Sequence, residues 1–582
     1  MSRKIFTRIT DIRGGWCYRY NRPRPTRHPR SGLTRQLGHT TTHTYATAGG
    51  GQFSFETGHR YNADDQLHSH TWPDGSQQTY HYSKGLLSQI TLPDQSRISY
   101  SQYQWLRPGQ ISTPGTTRAL TYDGLQRPLT IEVSNSSSQS LSQRQYQYSS
   151  AGNITQLGSE LGQTDYGYDR LNRLTQATPD AALHALGLPV ERYTYDAVGN
   201  RTSSAHQSGV WRYNADNQLT QYPQTVPFSP APFNQSPAID TQINYSPQGH
   251  TLKESNSHTT RDYGYNAADR LTRYRRTAAG QSTPDLQANY QYDPFGRRIA
   301  KHVTEGGTTN TKSTYFIYSE QGLLGETDQD GTLTKAYGFN PVAADQGLWS
   351  TDPIWQASIH NGSLTDARTE MHYLHTDHLG TPILATTKAG QTSWQAQAEA
   401  FGAAGILPGN RIRMNLRLPG QYFDGETGLH YNYFRDYDPS LGRYIQSDPL
   451  GLEGGLNTYA YVGGNPLAYI DPTGEAAAVA IPVALLLLIT SWVAVNTVID
   501  PSKPIPPQLP GYQDPTTFHT STQQCSNVPS SGPPNRRDRC MAAAALKFTA
   551  CMKGSVGLVG CYVAYSVRIL VCQARSPDGD DE

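Results

Sequence analysis

A chain of 582 residues with a net charge of +1 is too long for one ordinary domain and too nearly neutral to indicate a nucleic-acid partner. Charged residues make up only 16% of it, whereas Tyr accounts for 38 residues and Gly for 53. Because Tyr favours half-buried strands and Gly supplies turns, the composition predicts a mostly β protein built from repeats.

The first 44 residues form a basic segment. Residues 1–35 contain ten Lys or Arg and a single acidic residue, Asp11. We interpret residues 1–44 as a disordered lead-in, the alternative being a basic arm for an anionic partner. The segment has no apolar stretch, so no secretory signal peptide is predicted.

Residues 45–370 contain a recurring motif of Tyr followed by Asp, Asn or Ser, a turn with Gly or Asn, and a new strand. Alternating residues such as Tyr193 and Tyr195 share one face of a strand. The side chain of the Asp or Asn is expected to accept hydrogen bonds from backbone N–H groups further along the same turn. The Gly or Asn is expected to take a positive φ. Each unit therefore predicts a β-hairpin, and stacked hairpins predict one continuous sheet. The motif begins at Tyr61, Tyr82, Tyr122, Tyr148, Tyr168, Tyr195, Tyr213, Tyr245, Tyr265 and Tyr292.

Units such as Tyr168-Asp-Arg-Leu-Asn-Arg-Leu and Tyr195-Asp-Ala-Val-Gly-Asn-Arg resemble the YD repeats of Rhs proteins and insecticidal toxin-complex subunits. The resemblance covers residues 45–475. It implies a hollow, coiled YD-repeat β-hairpin shell that encloses a C-terminal toxin, and the tail of this chain is expected to be small and α-helical. Shells of that family are generally longer, so the chain is expected to be part of a longer protein or to close with a partner.

Residues 371–475 are similar to the Rhs-associated core that closes such a shell. His372, His375 and His378 lie there beside Asp377, but the family's version of this stretch is a strand and turn. No metal and no cofactor are therefore predicted. The matching stretches are 372–382, 419–433, 435–444, 447–459, 465–466 and 471–474.

The resemblance to toxin-complex C subunits implies a self-cleavage site in this core. By motif, Arg435, Asp448 and Asp471 match the arginine and two aspartates held responsible in that family. Two neighbouring carboxyls cannot both ionise, so the ionised one would activate water and the protonated one would donate to the scissile carbonyl. The arginine would orient the pair. The alternative is that both aspartates serve only as turn residues.

The cut is expected after residue 475, within Gly474, Glu475 and Ala476. The family ends its core with an apolar Leu where this chain has Glu475, and that charge could disturb the fit of the site. Self-cleavage is the only catalytic activity that the sequence indicates.

The composition changes abruptly after the core. Residues 476–499 carry no charge, which predicts an apolar helix long enough to span a membrane, the alternative being a segment packed inside the shell. Residues 500–535 form a Pro-rich linker and residues 575–582 an acidic tail.

Residues 536–574 predict a helical hairpin with four cysteines. Their spacings are 11, 10 and 11 residues, and 11 residues is about three helical turns, so Cys540 and Cys551 share one helix face and Cys561 and Cys572 another. An antiparallel hairpin would pair Cys540 with Cys572 and Cys551 with Cys561, similar to disulfide-stapled hairpins with twin Cys-x9-Cys motifs. The alternative is reduced cysteines on two apolar helices or a second membrane segment.

The sequence thus indicates an Rhs-type polymorphic toxin that encapsulates and delivers a variable C-terminal effector. The expected partners are a cognate immunity protein, a shell-completing or delivery protein and a target membrane reached by 476–499. The chain is expected to be secreted or delivered by a bacterial secretion system. The alternative is a surface protein of structural, adhesive or carbohydrate-binding function, anchored by its apolar segment.

Overall fold

The computed structural model of the protein describes residues 19–21, 37–47, 51–64, 66–224, 239–306, 308, 310–345, 348–475 and 478–479. The chain divides into two units, Met1–Pro482 and Val483–Glu582, and the second lies outside the described residues. Within the first unit, almost every element is an antiparallel strand paired with the strands before and after it in the chain. The predicted mostly β fold is confirmed.

The first sheet has 16 strands in sequence order. Its strands are β1 (Arg19–Asn21), β2 (Leu37–Ala46), β3 (Gln52–Tyr61), β4 (Leu67–Thr71), β5 (Gln77–Ser83), β6 (Leu86–Thr91), β7 (Arg97–Ser101), β8 (Gln110–Thr113), β9 (Thr116–Tyr122), β10 (Pro128–Asn135), β11 (Ser140–Tyr148), β12 (Ile154–Ser159), β13 (Gly162–Tyr168), β14 (Leu174–Pro179), β15 (Glu191–Tyr195) and β16 (Arg201–Ser204). A short helix, α1 (Ala181–Ala185), interrupts the last hairpins.

The second sheet also has 16 strands in sequence order. Its strands are β17 (Arg212–Tyr213), β18 (Leu219–Gln224), β19 (Ile239–Tyr245), β20 (Thr251–Ser255), β21 (Thr259–Tyr265), β22 (Leu271–Ala278), β23 (Leu286–Tyr292), β24 (Arg298–Glu305), β25 (Thr311–Ser319), β26 (Gly322–Thr327), β27 (Leu333–Phe339), β28 (Pro353–Ser358), β29 (Glu370–Thr376), β30 (Pro382–Thr386), β31 (Thr392–Ala398) and β32 (Ala404–Ile406). The helix α2 (Pro341–Asp345) follows β27.

Two small sheets complete the described chain. One contains β33 (Tyr422–Phe423), β34 (His430–Asn432), β35 (Arg435–Asp438) and β36 (Arg443–Tyr444), and the other contains β37 (Tyr469–Ile470) and β38 (Ala478–Val479). Short 3-10 turns cover Gly451–Glu453 and Val462–Gly464.

The repeated turns have the predicted hydrogen bonding. One carboxylate oxygen of Asp123 accepts two backbone N–H groups of its own turn, at 2.8 and 2.9 Å, and the other accepts Arg127 Nε at 2.7 Å. The strained position of this turn is Gln126, with a φ of +62°. The turn at Asp169 is built in the same way and uses Asn172, with a φ of +59°. The Asx-turn prediction is confirmed, although the left-handed residue is not always Gly or Asn.

The repeat Tyr residues connect successive hairpins. Tyr195 donates its hydroxyl to the carbonyl of Leu174 at 2.7 Å, and Leu174 lies opposite the preceding repeat residue, Tyr168, at a β-bulge. Tyr168 in turn donates to Ile154 at 2.8 Å, and Ile154 lies opposite Tyr148. Each repeat therefore binds the backbone of the one before it. The same relation joins Tyr82 to Leu67, Tyr103 to Leu87, Tyr148 to Pro128, Tyr213 to Arg201, Tyr245 to Leu219, Tyr265 to Thr251, Tyr292 to Leu271 and Tyr318 to Arg298.

The largest apolar cluster joins the start of the first sheet to the middle of the second. The rings of Trp72 and Trp355 lie 4.9 Å apart, and those of Tyr45 and Tyr315 lie 5.9 Å apart in an edge contact. Trp72 and Trp355 are almost completely buried. Large aromatic surfaces removed from water at this contact hold the two sheets together.

The segment after the second sheet lies against the hairpin turns. Tyr459 donates its hydroxyl to the carbonyl of Gly249, in the turn between β19 and β20, at 2.7 Å. Tyr433 donates in the same way to Phe295, in the turn between β23 and β24, at 2.9 Å. These bonds fix the position of the core segment on the edge of the sheet.

Two predicted boundaries fall within strands of the structure. The lead-in 1–44 was predicted to be disordered, but β2 begins at Leu37 and pairs with β1. The run Thr40–Tyr45 is β-branched and aromatic, and this strand propensity outweighs the charges nearby. There is also no break at residue 371, because β29 continues the second sheet beside β28.

Most of the predicted tail lies outside the described residues. Of the segment 476–499, only Ala478–Val479 is described, and it is a strand beside Tyr469–Ile470 where a helix was predicted. In this strand the backbone N–H and C=O groups pair with β37, whereas in a helix they would pair within the same segment. The linker 500–535, the hairpin 536–574 and the tail 575–582 all lie outside the described residues. No helix in the described part of the chain is long and apolar enough to cross a membrane.

Candidate functional site

Arg435 is the centre of the predicted cleavage site. It lies on β35, with 3% of its surface exposed. Its Nη2 is 2.8 Å from a carboxylate oxygen of Asp448 and 3.5 Å from one of Asp471. The structure therefore brings the three predicted residues together in one buried cluster, although they are separated by 13 and 23 positions in the sequence.

Asp448 is held by the loop that follows β36. The carbonyl of Thr458 accepts both the backbone N–H of Asp448, at 2.9 Å, and Nη1 of Arg435, at 3.0 Å. The Asp448 side chain also accepts the N–H of Leu450 at 2.8 Å. A Cβ at Gly454 would lie 2.5 Å from the carboxylate of Asp448, so a side chain there would displace it.

Asp471 binds the segment that contains the expected cut. Its Oδ1 accepts the backbone N–H of Gly474 at 2.8 Å and that of Glu475 at 3.2 Å. Arg435 Nε donates to the carbonyl of Gly474 at 2.5 Å. Gly474 has a φ of +72°, and a Cβ on it would lie 2.5 Å from the carbonyl oxygen of Asn432. The predicted cleavage residues Gly474 and Glu475 are thus at the site, whereas Ala476 lies outside the described residues.

Two residues of the site were missed in the sequence. Tyr444 donates its hydroxyl to Asp471 Oδ2 at 2.7 Å, and the Arg435 guanidinium lies 3.7 Å from the centre of its ring. Asn432 donates to the Tyr444 hydroxyl and to the carbonyl of Asp471, each at 2.8 Å. Both residues belong to core motifs, but aromatic and amide side chains within a strand give no signal of a role.

The site contains more negative than positive charge. Burial raises the pKa of Asp448, and the charge of Asp471 raises it further, against the opposing effect of Arg435. Burial also raises the pKa of Glu475, and the charges of Asp448 and Asp471 add to that effect. Burial and Asp471 raise the pKa of Tyr444, which therefore stays a neutral donor. The arrangement can hold one carboxyl protonated beside an ionised one, as acid–base chemistry requires.

The three candidate metal-binding histidines of the core each have a different hydrogen-bond partner. His372 contacts Ser393 Oγ at 3.1 Å, and His375 contacts Thr386 Oγ1 at 3.0 Å. His378 contacts the carbonyl of Leu467 at 2.8 Å. Among the residues that the structure describes, no group of His, Cys, Asp and Glu side chains is arranged to hold a metal ion. The predicted disulfide residues, Cys540, Cys551, Cys561 and Cys572, lie outside the described part of the chain.

Sheets of Tyr-anchored hairpins, continued by a core that binds their turns, define a YD-repeat shell protein. The sequence model of the Teneurin YD-shell family matches residues 102–458, and the chain belongs to this family. The relationship that the repeat motifs indicated is confirmed.

Curated relatives and solved structures agree with this assignment. Double-stranded DNA deaminase toxin A of Burkholderia cenocepacia is 30% identical over 352 residues, which cover 58% of this chain and 23% of that protein. Toxin protein Tse5 of Pseudomonas aeruginosa is 28% identical over 372 residues, covering 57% of this chain and 27% of that protein. The Photorhabdus luminescens Tc holotoxin pore has the same fold, with a TM-score of 0.56 at 17% identity over 76% of this chain and 23% of the matched one. The chain spans about a quarter of the length of these relatives.

Proposed function

We propose that this chain is the shell and core of an Rhs-type polymorphic toxin, and that the core cuts the chain between Glu475 and Ala476. The observation that carries the proposal is the position of Arg435, which contacts both aspartates and the carbonyl of Gly474. The toxin names of two relatives support the assignment to a toxin, and nothing in these likenesses favours the adhesive alternative.

The proposed reaction is hydrolysis of one peptide bond. Four donors converge on Asp471, from Gly474, Glu475, Tyr444 and Arg435, and this arrangement suits an ionised, acceptor-only carboxylate. Asp471 takes a proton from water as the hydroxyl oxygen adds to the carbonyl carbon of Glu475. Asp448, whose pKa is raised by burial, supplies the proton, first to the carbonyl oxygen and then, as that carbonyl reforms, to the departing amide nitrogen. The products are a carboxylate on Glu475 and an amine on Ala476.

The released segment, 476–582, would be the effector that the shell keeps from the producing cell. Such a toxin requires a cognate immunity protein and a delivery or shell-completing partner, and it would be secreted or delivered by a bacterial secretion system. The apolar residues 476–499 would bring the effector to a target membrane. The self-cleavage is the only enzymatic step in this proposal.

The test is the intact mass of the purified chain at neutral pH. We expect wild type to yield two fragments that meet after residue 475, and Asp448→Asn and Asp471→Asn to remain whole. Asp436→Asn is a matched control, because Asp436 is also buried on β35 but points away from Arg435, toward Gln446 at 2.7 Å. The control should be cut as wild type is. A wild-type chain that stays whole, or aspartate variants that are still cut at this point, would overturn the proposal.

A further inference from the structure

Two hairpin turns meet where the first sheet ends and the second begins. Asn200 lies in the turn between β15 and β16, the last strands of the first sheet, and Asn217 lies in the turn between β17 and β18, the first strands of the second. Asn200 Nδ2 donates to Asn217 Oδ1 at 2.9 Å, and Asn200 is 2% exposed. This partly buried bond joins the two sheets at their turn edge, which we call the seam.

The core loop binds both sides of the seam. Asn457 Nδ2 donates to Asn200 Oδ1 at 2.8 Å, and Asn217 Nδ2 donates to the carbonyl of Leu456 at 3.3 Å. The acceptor oxygen of Asn200 and the donor nitrogen of Asn217 are therefore both used by consecutive residues of the core. This contact exists only when the two sheets and the core are all in place.

The residue after Asn457 supports the cleavage site directly. The carbonyl of Thr458 accepts Arg435 Nη1 and the backbone N–H of Asp448, and Thr458 Oγ1 accepts the hydroxyl of Ser447 at 3.0 Å. The side chain of Asn457, which is bound at the seam, is thus only one residue away from the carbonyl of Thr458 that orients Arg435 and Asp448. A shift of the seam bond would move that carbonyl.

The loop between Asp448 and Asn457 has little apolar burial of its own. Leu452 and Leu456 are each 74% exposed, and the 3-10 turn Gly451–Glu453 buries no side chain. Hydrophobic contact therefore contributes little to its position. The polar bonds at its two ends, to Arg435 and to the seam, fix Asp448 together with the buried Tyr459 that follows Thr458.

We propose that Asn200 is a positioning residue for the self-cleavage, through which the chain is cut only after the two sheets have joined at the seam. The inference rests on the proposed function. Before the sheets join, Asn457 lacks its acceptor, and the carbonyl of Thr458 loses one of the bonds that hold it beside Arg435. Cleavage would then wait for the shell to form, so the effector would not be released from an unfinished one.

A second Asn link of the same kind provides a matched control. Asn153 Nδ2 donates to Asn172 Oδ1 at 2.8 Å, and Asn465 Nδ2 donates to Asn153 Oδ1 at 2.9 Å. This link also joins two YD turns to the core, but both turns belong to the first sheet. No residue next to Asn465 contacts Arg435 or Asp448 in the described structure, so Asn153→Ala removes the two corresponding bonds and no contact of either residue. Asn200→Ala additionally loses the bond from its own Nδ2 to Asp196 Oδ2, at 2.9 Å.

The experiment follows self-cleavage of the full chain after refolding. We expect Asn200→Ala to slow the first-order rate by at least about tenfold, as misplaced catalytic groups do, and Asn153→Ala to leave it within about twofold of wild type. Asn457→Asp, which keeps the acceptor for the N–H of Tyr459 and loses the donor to Asn200, should slow the rate like Asn200→Ala. The double variant of Asn200 and Asn457 should be no slower than either single one. The pH at which the rate is half-maximal should also move in Asn200→Ala and not in the control.

Amide exchange of residues 447–458 separates the possible failures. Measured in an Asp471→Asn background, exchange there should rise with Asn200→Ala and stay unchanged with Asn153→Ala. An intact wild-type chain would overturn the proposed function. A wild-type chain that is cut, with equal rates in Asn200→Ala and Asn153→Ala or with unchanged exchange in the loop, would overturn the positioning role alone.

Discussion

Replacing Asp424 with Asn should release the core from the second sheet. Asp424 binds the guanidinium of Arg298 through both oxygens, one of them at 3.0 Å from Nη2, and it binds Lys301 Nζ at 2.9 Å. Arg298 and Asp424 are 1% and 2% exposed. Burial by itself would raise the pKa of Asp424, but the two cations outweigh it and hold the pKa below its ordinary value. The carboxylate is thus ionised at neutral pH and balances two buried cations.

The magnitude follows from what remains after the substitution. Asp424→Asn leaves Arg298 facing a neutral amide, and Lys301 keeps only Glu426, at 3.0 Å. Removing one partner of a buried ion pair costs about 3–5 kcal/mol, because the remaining charge is neither hydrated nor paired. Since the folded pKa is lowered, the contribution of Asp424 is present at neutral pH and is lost as the pH falls through its folded pKa.

The assay is denaturant unfolding of the uncleaved Asp448→Asn chain, with amide exchange of residues 422–431 to locate the change. The control replaces Asp424 with Leu, Glu426 with Gln and both Arg298 and Lys301 with Met, so that no charge of the buried cluster remains, since replacement of a whole buried ionic cluster is often neutral. Asp424→Asn should destabilise the chain far more than the fourfold replacement. A cost below about 1 kcal/mol for the single change, or an equal cost for both, would refute the view that these charges balance one another in a dry environment.

Three further outcomes are expected. Burial, and then the nearby His39, lower the pKa of His59 to about 3. Below pH 6.5 the unfolded chain therefore binds more protons at this residue than the folded chain does, and the free energy of unfolding decreases as the pH is lowered. Replacing His59 with Phe should remove about 2 kcal/mol of the stability lost between pH 7 and pH 5, measured by urea unfolding at both values. Tyr195→Phe deletes the bond to the buried carbonyl of Leu174 and should cost about 1 kcal/mol in the same unfolding assay, and no change would contradict the proposed cohesion between repeats. The pKa of Asp448 is raised, so its carboxyl group keeps its proton to a higher pH than usual. The cleavage rate should therefore fall as the pH rises through that pKa. A rate that increases there would exclude Asp448 as the acid.

The local features of the fold could be predicted from the sequence. A turn that begins at Asp169 and binds its own backbone depends on neighbours a few residues away, and the alternation of Tyr193 and Tyr195 follows from the pleat. The acceptor of a repeat Tyr could not be predicted, because Leu174 is 21 residues before Tyr195 and is its partner only through a bulge in the preceding hairpin. Sequence spacing does not contain that register.

The candidate site divides in the same way. Arg435, Asp448 and Asp471 could be found because the motif resemblance identified them together. Tyr444 and Asn432 could not, since their contact with Asp471 depends on the fold of the small sheet. The ion cluster at Asp424 was missed for a related reason: its partner Arg298 is 126 residues away, so only the packed structure shows that the two charges meet.

The identity of the first residue of the released fragment tests the central claim most directly. The chain, purified and kept at neutral pH, should give a C-terminal fragment whose N-terminal residue is Ala476. A fragment that begins at Pro472 would indicate chemical breakage of the Asp471–Pro472 bond instead. That result, or a chain that remains whole, would contradict self-cleavage by Arg435, Asp448 and Asp471.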